Sequence, residues 1–261
     1  MKPTPESLEP WAPYYDLLHQ GVPGDVAFYS EQAKDATGDI LEIGVGTGRI
    51  ALPIAHAGIA LTGLDNSPAL LALCRYKKKL LKLPPRRLNL VKADMRRFEL
   101  GQTFSLIYMP YRTFMHALTP DDQRRTLACV HRHLAPGGRF ILDTWAAKPS
   151  TIAKLLRPPK RPNQIHYVLK EEGLTILHTS TSQIDEFEQL IHEHHLIQEF
   201  NNQAQLTNEV SLPLTRTYTT PREMENLLLS TGFKIESVYG DFAGHDLTSN
   251  STDMIWQATA R

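Results

Sequence analysis

The chain has 261 residues with 41% hydrophobic side chains, and its 28 basic residues balance its 28 acidic residues. This length suits one large α/β domain, or a domain that carries a sizeable insertion. A net charge of zero argues against a broad electrostatic surface for DNA or RNA. No apolar run approaches the ~18 residues of a membrane span, and the first residues lack the apolar stretch of a secretory signal.

The two cysteines, Cys74 and Cys129, each fall within a predicted helix. Cysteines in this setting are usually small buried side chains, so we expect free thiols and no disulfide. A reduced compartment agrees with this usage, and we expect a cytoplasmic protein without a membrane or nucleic-acid partner. The basic run within 77–87 is expected to be the solvated face of a helix and its following loop.

The N-terminal segment, residues 1–38, is predicted to be helical with breaks. An apolar patch at 14–18 supports a helix there, and Gly21, Pro23 and Gly24 interrupt the pattern that follows. We expect this segment to act as a helical lid on the domain that follows it.

Strands and helices alternate over the next hundred residues. The predicted strands are 39–43, 59–64, 88–92, 104–109 and 139–144. Two of the intervening helices start at Ser67-Pro68 and Thr119-Pro120, where a capping side chain precedes a proline in the first helical position. This alternation predicts a parallel sheet covered by helices on both faces.

The alternation stops after residue 150. Residues 151–163 contain several prolines and basic residues and are expected to be a linker or a mobile segment. A period of two then predicts antiparallel strands at 165–170, 174–184 and 187–200, with 207–218 as a candidate further strand. We expect 151–218 to be an antiparallel β insertion that roofs the substrate pocket or makes a dimer contact.

A helix is predicted to return at Thr220, with Glu223 completing a capping box and Gly232 as the C′ residue. Two further strands follow, at 233–239 and 252–259. The resulting divisions are a lid (1–38), a core (39–150), the insertion (151–218) and a C-terminal part of the core (219–261).

A glycine-rich turn stands between the first predicted strand and its helix. Gly44, Gly46 and Gly48 allow a tight turn and a close approach of the backbone to a ligand. Asp65 ends the second predicted strand, where an acid can accept hydrogen bonds from both ribose hydroxyls. The pattern predicts a nucleotide-type ligand.

A dinucleotide would be the alternative ligand for such a turn. Its GxGxxG fingerprint places a third glycine at position 49, where this chain has Arg49. Glu42 just before the turn also disfavours a pyrophosphate, whereas a ligand with a sulfonium and an amino group tolerates a carboxylate there. Asp94 follows the third predicted strand, so that acids stand at two successive strand ends.

With these features the core resembles class I S-adenosylmethionine-dependent methyltransferases, in particular small-molecule members of the Methyltransf-25/11 type. The similar segments are EIGVGTGR, LTGLDNSPALL, VKADMRRF, HLAPGGRFILDTW and TTPREMENLLLSTGF. The insertion and the ending VYGDF resemble a subgroup that contains aminosugar and glycine-type N-methyltransferases. The resemblance implies a Rossmann-like sheet of seven strands with the antiparallel insertion after the fifth strand.

The resemblance also implies contacts to the cofactor, residue by residue. The backbone of Gly44–Gly48 would hold the methionine part, and Asp65 would hold the ribose hydroxyls. Asn66 would flank the adenine, Asp94 would contact the adenine amino group, and Met95 would stack nearby.

Further contacts are implied near the reacting centre. Tyr108 and Met109 would face the sulfonium. In this subgroup an N-terminal tyrosine often closes over the cofactor, and Tyr15 matches it best. Tyr15 is a catalytic candidate for that reason, and Tyr14 could take the same role in its place. Glu42 remains open between cofactor contact and structural support.

The loop after the fourth strand is the expected meeting place of acceptor and cofactor. His116 is a candidate base there, against the alternative of a packing or capping histidine. Tyr111 and Arg112 are candidate acceptor contacts, and Arg112 suits a carboxylate or phosphate.

The insertion contains a group of histidines that raises the question of a metal. On a strand His192 and His194 share a face, and His178 lies on a neighbouring strand. The alternatives are a metal site and a polar sheet face; the second is favoured, and no metal is expected.

The predicted function is methyl transfer from S-adenosylmethionine to a small-molecule acceptor, most readily at nitrogen, with S-adenosylhomocysteine as product. Alternatives are an O-methyltransferase, a protein or RNA methyltransferase, and a cofactor-binding regulatory module without catalysis. The protein is expected to be a monomer or a homodimer.

Overall fold

A computed structural model describes residues 6–157, 162–169 and 173–261 of the chain. The strands that follow the first helices are β1 (Ile40–Ile43), β2 (Leu61–Asp65), β3 (Leu88–Lys92), β4 (Phe104–Met109) and β5 (Leu134–Trp145). The later strands are β6 (Asn163–Leu169), β7 (Leu174–Asp185), β8 (Leu190–Phe200), β9 (Leu206–Thr217), β10 (Phe233–Tyr239) and β11 (Asp253–Ala260).

Seven of these strands form one mixed sheet in the order β10-β11-β5-β4-β1-β2-β3. The first five strands of the chain are parallel to one another, and β11 lies antiparallel between β5 and β10. The sheet is buried on both faces, because apolar clusters fill the space between it and the helices on each side. The predicted α/β fold of class I methyltransferases is confirmed.

The α-helices of the described chain are α1 (Tyr15–Leu18), α2 (Asp25–Lys34), α3 (Ala51–His56), α4 (Pro68–Leu80), α5 (Pro120–His133), α6 (Pro149–Leu155) and α7 (Pro221–Ser230). Of these, α4, α5 and α7 begin where the capping residues predict. Ser67 and Thr119 each accept a hydrogen bond from a backbone N–H of the first turn. Thr220 and Glu223 form the predicted capping box, and Gly232 follows the helix with φ +92°. Cys74 and Cys129 are free and buried.

The insertion is a four-stranded antiparallel sheet in the order β6-β7-β8-β9, which we call the roof sheet. Its predicted strands are confirmed, including the candidate strand at 207–218. The prediction of a structureless linker over 151–163 is wrong at its beginning, because α6 runs to Leu155; residues 158–161 lie outside the described residues. Within the described chain, no helix is long and apolar enough to span a membrane.

The N-terminal segment, residues 6–19, connects the two sheets. Glu9 accepts hydrogen bonds from Ser67 Oγ (2.7 Å) and Ala69 N (3.0 Å) at the start of α4. Trp11 and Tyr14 pack into the apolar inner face of the roof sheet. The segment therefore holds the roof sheet over the carboxyl ends of the parallel strands.

Candidate active site

A cavity of about 310 Å³ lies between the core sheet, the roof sheet and the N-terminal segment. The core contributes residues at the carboxyl ends of β1, β2, β3 and β4, the usual ligand edge of an open parallel sheet. Predicted site residues that line it are Tyr15, Gly44, Asp65, Asn66, Asp94, Met95, Tyr111, Arg112 and His116. The sequence pattern thus located the cavity, although five candidate contacts lie outside its lining: Glu42, Gly46, Gly48, Tyr108 and Met109.

The glycine turn shapes the edge of this cavity. Gly44, Gly46 and Gly48 have φ values of +77°, +52° and +88°, a region that side chains other than glycine rarely adopt. Of these three, Gly44 lines the cavity. Gly46 N donates to Asp65 Oδ2 at 2.8 Å, and a Cβ at Gly48 would lie 2.7 Å from Cys74 Sγ. Gly46 and Gly48 therefore set the turn and its packing. They do not line the cavity, whereas the sequence predicts that their backbone holds the cofactor.

Asp65 is held at the carboxyl end of β2 with its carboxylate at the cavity. Its Oδ1 accepts a hydrogen bond from Ser67 N at 2.9 Å, so each oxygen has one backbone donor. A carboxylate has about four lone-pair sites, which leaves each oxygen able to accept another hydrogen bond. Burial raises the pKa of Asp65, against the lowering effect of the backbone donors.

The comparisons with known proteins agree with this geometry. Residues 40–138 match a family model described as a methyltransferase domain. A cypemycin N-terminal methyltransferase from Streptomyces is 26% identical over 244 residues, covering 92% of each protein. Together these matches support a class I S-adenosylmethionine-dependent methyltransferase.

Solved structures extend the similarity of fold to the roof sheet. The CcbJ methyltransferase from Streptomyces caelestis superposes with a TM-score of 0.77 at 22% identity, covering 97% of this methyltransferase and 96% of that chain. The S-adenosylmethionine-bound amino pentose methyltransferase CalS10 from Micromonospora echinaspora gives a TM-score of 0.68 at 24% identity, covering 95% and 96%. The similarity covers the roof sheet as well as the core, because it includes nearly the whole chain.

The residues present fit S-adenosylmethionine. Gly44 lines the cavity at the end of β1, Asp65 offers free acceptor capacity for a ribose diol, and Met95 supplies an apolar wall. Asn66 lines the same part of the cavity. These residues would hold the cofactor of the methyltransferase.

Asp94 differs from its predicted role. Its carboxylate forms a bidentate pair with Arg96, with Arg96 Nη2 at 2.7 Å and Nε at 2.9 Å. Arg96 also reaches Asp122 Oδ1 at 3.2 Å. These hydrogen bonds hold the pKa of Asp94 below its usual range. Arg96 N also donates to Oδ1 at 2.9 Å, and Arg96 Nε lies 3.2 Å from Oδ2. With two donors at each oxygen, the carboxylate has little capacity left for an adenine amino group.

Tyr15 lies over the glycine turn, as a lid residue would. A Cβ at Gly46 would be 3.6 Å from its ring, and the side chain borders the cavity. Burial and the nearby Asp65 raise the pKa of the Tyr15 phenol, so it stays protonated. Tyr14 is not the substitute, because its hydroxyl donates to Glu199 in the roof sheet at 2.5 Å.

Tyr108 and Glu42 do not line the cavity, and for Glu42 the structure favours structural support, the second of the two alternatives. Tyr108 is fully buried in β4, stacks on Tyr29 with ring centroids 5.0 Å apart, and donates to Glu42 Oε2 at 3.0 Å. Met109 is buried in the core on the other face. Both faces of this central strand are covered, so the loop after it reaches the cavity instead. Burial raises the pKa of Glu42 to about 8, which makes it a structural carboxylic acid.

The loop after β4 has an unusual backbone. Tyr111 and Arg112 both have positive φ, +53° and +62°. Asp143 Oδ1 accepts from Tyr111 N and Oδ2 accepts from Arg112 N, each at 2.9 Å, and Tyr29 donates to Oδ1 at 2.6 Å. Asp143 on β5 was not identified from the sequence, because its role depends on a turn from another part of the chain.

His116 lines the cavity, and the histidines near it were not predicted. His19 from the N-terminal segment and His195 from β8 also border the cavity. Burial lowers the pKa of His116 and of His195 to about 4, and that of His19 to about 3. All three are therefore neutral at physiological pH and can accept hydrogen bonds.

The roof sheet contributes an ion pair that the sequence analysis also missed. Arg216 on β9 donates from Nε (2.9 Å) and Nη2 (2.6 Å) to the same Oε2 of Glu193 on β8. Both side chains line the cavity. The sequence signal that could have found this pair is the alternation of side chains along β8 and β9, which places Glu193 and Arg216 on the inner face of the roof sheet.

The histidine group of the insertion is arranged differently from the metal alternative. His178 Nε2 lies 2.9 Å from His195 Nδ1, whereas His192 contacts Thr215 and His194 contacts Ser211. Among the described residues, no group of three or more potential ligands is placed to hold a metal ion.

Proposed function

We propose that this methyltransferase transfers a methyl group from S-adenosylmethionine to a nitrogen of a small-molecule acceptor. The observation that carries the proposal is the cavity, in which the roof sheet lies over the ligand edge of the core. Its volume of about 310 Å³ is at the lower end of the range of small-molecule sites, and a covered pocket disfavours a folded protein or RNA as acceptor. The name of the cypemycin N-terminal methyltransferase supports nitrogen as the methylated atom.

The cofactor supplies an electrophilic methyl group on its sulfonium, so the chain mainly has to align the acceptor and exclude water. Gly44 and Asp65 would fix the cofactor at the ends of β1 and β2. Tyr15 would cover it from the N-terminal segment, which closes the cavity to solvent.

His116 would act on the acceptor nitrogen. A neutral imidazole accepts a hydrogen bond from an amine N–H and thereby orients the nitrogen lone pair. With a pKa of about 4 it is a weak proton acceptor, so the acceptor amine would bind and react in its unprotonated form. We therefore assign His116 an orienting role in place of the general-base role predicted from the sequence.

The first test is calorimetric titration with S-adenosylhomocysteine, followed by methyl transfer from labelled cofactor to a library of amines and alcohols. Binding tighter than ~100 μM is expected, and its absence would remove the proposal. Asp65→Ala should weaken binding more than tenfold, because two ribose hydrogen bonds are lost. Asp35→Ala, an exposed acid at the end of α2, is the matched control and should leave binding unchanged. Transfer to alcohols alone, or cofactor binding without any transfer, would contradict nitrogen methylation.

A further inference from the structure

Every arginine that lines the cavity within the described chain already holds a carboxylate. The pairs are Arg96–Asp94 at 2.7 Å, Arg112–Asp253 at 2.8 Å and Arg216–Glu193 at 2.6 Å. A guanidinium that is neutralised in this way has little charge left to attract an anionic group. Arg96 and Arg216 therefore add little net positive charge to this cavity. Arg112 keeps a buried Nε that has no hydrogen-bond partner among the described residues, so its predicted role as an acceptor contact stays a prediction.

The remaining charges in the lining are acidic. Asp65 accepts backbone N–H donors, and Glu6 accepts from Thr215 N (2.8 Å) and Thr215 Oγ1 (2.7 Å). Neither is paired with a cation among the described residues. An anionic acceptor would enter a partly desolvated cavity that contains more carboxylates than guanidinium groups, which is electrostatically unfavourable.

The Glu193–Arg216 pair lines the same cavity as His116, in the part that the proposed function gives to the acceptor and that we call the acceptor half. It belongs to the roof sheet, and Arg216 lies close enough to His116 to contribute to its lowered pKa. Both donors of Arg216 converge on Oε2 of Glu193, and both side chains are largely shielded from solvent. If Glu193 were neutral, a full positive charge would stand in the acceptor half of the cavity.

We propose that Glu193 is a specificity-determining residue that excludes anionic acceptors. By neutralising Arg216, it reserves the acceptor half of the cavity for amines that carry no phosphate or carboxylate. The inference rests on the proposed function, because it takes the acceptor to bind beside the cofactor in this cavity.

The test is a gain of anion binding, measured with inorganic pyrophosphate by calorimetry in the presence and absence of S-adenosylhomocysteine. Wild-type protein is expected to bind pyrophosphate more weakly than ~1 mM. Glu193→Gln should bind it at least tenfold more tightly, because Arg216 is then free to form charge-assisted hydrogen bonds. The double variant Glu193→Gln with Arg216→Gln should lose that gain, which places the bound anion at this arginine.

Glu209→Gln is the matched control, since it removes one negative charge from an exposed position of the same sheet. It should bind pyrophosphate as the wild type does. Micromolar binding by the wild type would overturn the inference, as would an equal affinity in wild type and Glu193→Gln. Parallel titration of each variant with S-adenosylhomocysteine separates this result from the proposed function, because cofactor binding does not depend on Glu193.

A matched pair of amines gives a second, independent arm. Glucosamine and glucosamine 6-phosphate differ by one phosphate, and each is tested as an inhibitor of methyl transfer to an amine from the library. Glu193→Gln should shift the ratio of the two inhibition constants at least tenfold toward the phosphate. An unchanged ratio would contradict the proposal.

Discussion

Asp143 shows how one buried carboxylate determines the conformation of the loop beside the acceptor. Left-handed backbone costs a residue other than glycine about 1–2 kcal/mol, and two such residues stand in succession here. Asp143 offsets this cost by accepting the N–H groups of both Tyr111 and Arg112. We regard Asp143 as a positioning residue, since it touches the loop and does not line the cavity.

Asp143→Asn should reduce methyl transfer at least tenfold while S-adenosylhomocysteine affinity changes less than twofold. The amide has one acceptor oxygen in place of two, so one of the two backbone donors loses its partner. Steady-state kinetics should show the loss in the acceptor KM or kcat. Tyr29→Phe removes one hydrogen bond to Asp143 but leaves both loop contacts, so its effect should be much smaller. Equal losses of cofactor affinity and activity in Asp143→Asn would indicate a general structural defect instead.

Asp65 and Asp143 illustrate what a sequence can reveal about single residues. Asp65 was identified because it ends a strand, and the topology of a parallel sheet brings that position to the ligand edge. Asp143 lies within a strand, and nothing local distinguishes it from a core position. Tyr108 does not line the cavity for a related reason, because both faces of its central strand are covered. Residues whose role is set by partners distant in the chain were not predictable from local pattern.

At the scale of elements, the N-terminal segment is the piece that closes the cavity. Trp11 is fully buried, with its ring 4.8 Å from that of His195 and 5.3 Å from that of His19. Glu9 anchors the same segment to α4. One end of the segment thus depends on the core and its middle on the roof sheet, so both hold Tyr15 over the glycine turn.

Trp11→Ala should therefore accelerate dissociation of S-adenosylhomocysteine at least fivefold, because the segment then opens more readily. Loss of a buried tryptophan costs about 3–5 kcal/mol of packing, much of it at this contact. Displacement of labelled product by excess unlabelled product measures the rate directly. Tyr76→Ala truncates an aromatic on α4 that is 60% exposed and should leave the rate unchanged. The same dissociation rate in Trp11→Ala and wild type would show that the segment is not a lid.

The elements themselves were predictable to different degrees. Strong caps at Ser67, Thr119 and Thr220 gave helix starts that the structure confirms. Period-two alternation gave the strands of the roof sheet. The helix at Pro149–Leu155 was missed, because prolines and basic residues in the segment that follows it suggested a linker.

At the scale of the whole molecule, buried ionisable groups make stability depend on pH in two opposing ways. Burial lowers the pKa of His116 to about 4, so the unfolded chain binds more protons below about pH 6.5 and stability falls as the solution is acidified. Burial raises the pKa of Glu42 to about 8, so the folded chain binds more protons and stability falls as pH rises from about 4.5 to 8. Burial raises the pKa of Asp143 from 3.8 to about 6, so the loss of stability that its ionisation causes falls between these two pH values. Between pH 6.5 and 8 the decline in stability caused by Glu42 is therefore not opposed by His116 or Asp143.

Glu42→Gln should remove most of the decline in stability of the methyltransferase between pH 6.5 and 8. Wild-type protein should lose about 1–2 kcal/mol of unfolding free energy over this interval, since the slope approaches about 1.4 kcal/mol per pH unit. Glutamine does not ionise, and its amide oxygen can still accept the hydrogen bond from Tyr108. Urea unfolding at the two pH values measures the difference, with exposed Glu225→Gln as the control that keeps the wild-type decline. A Glu42→Gln curve parallel to that of the wild type would mean that the buried carboxyl is already ionised at pH 6.5.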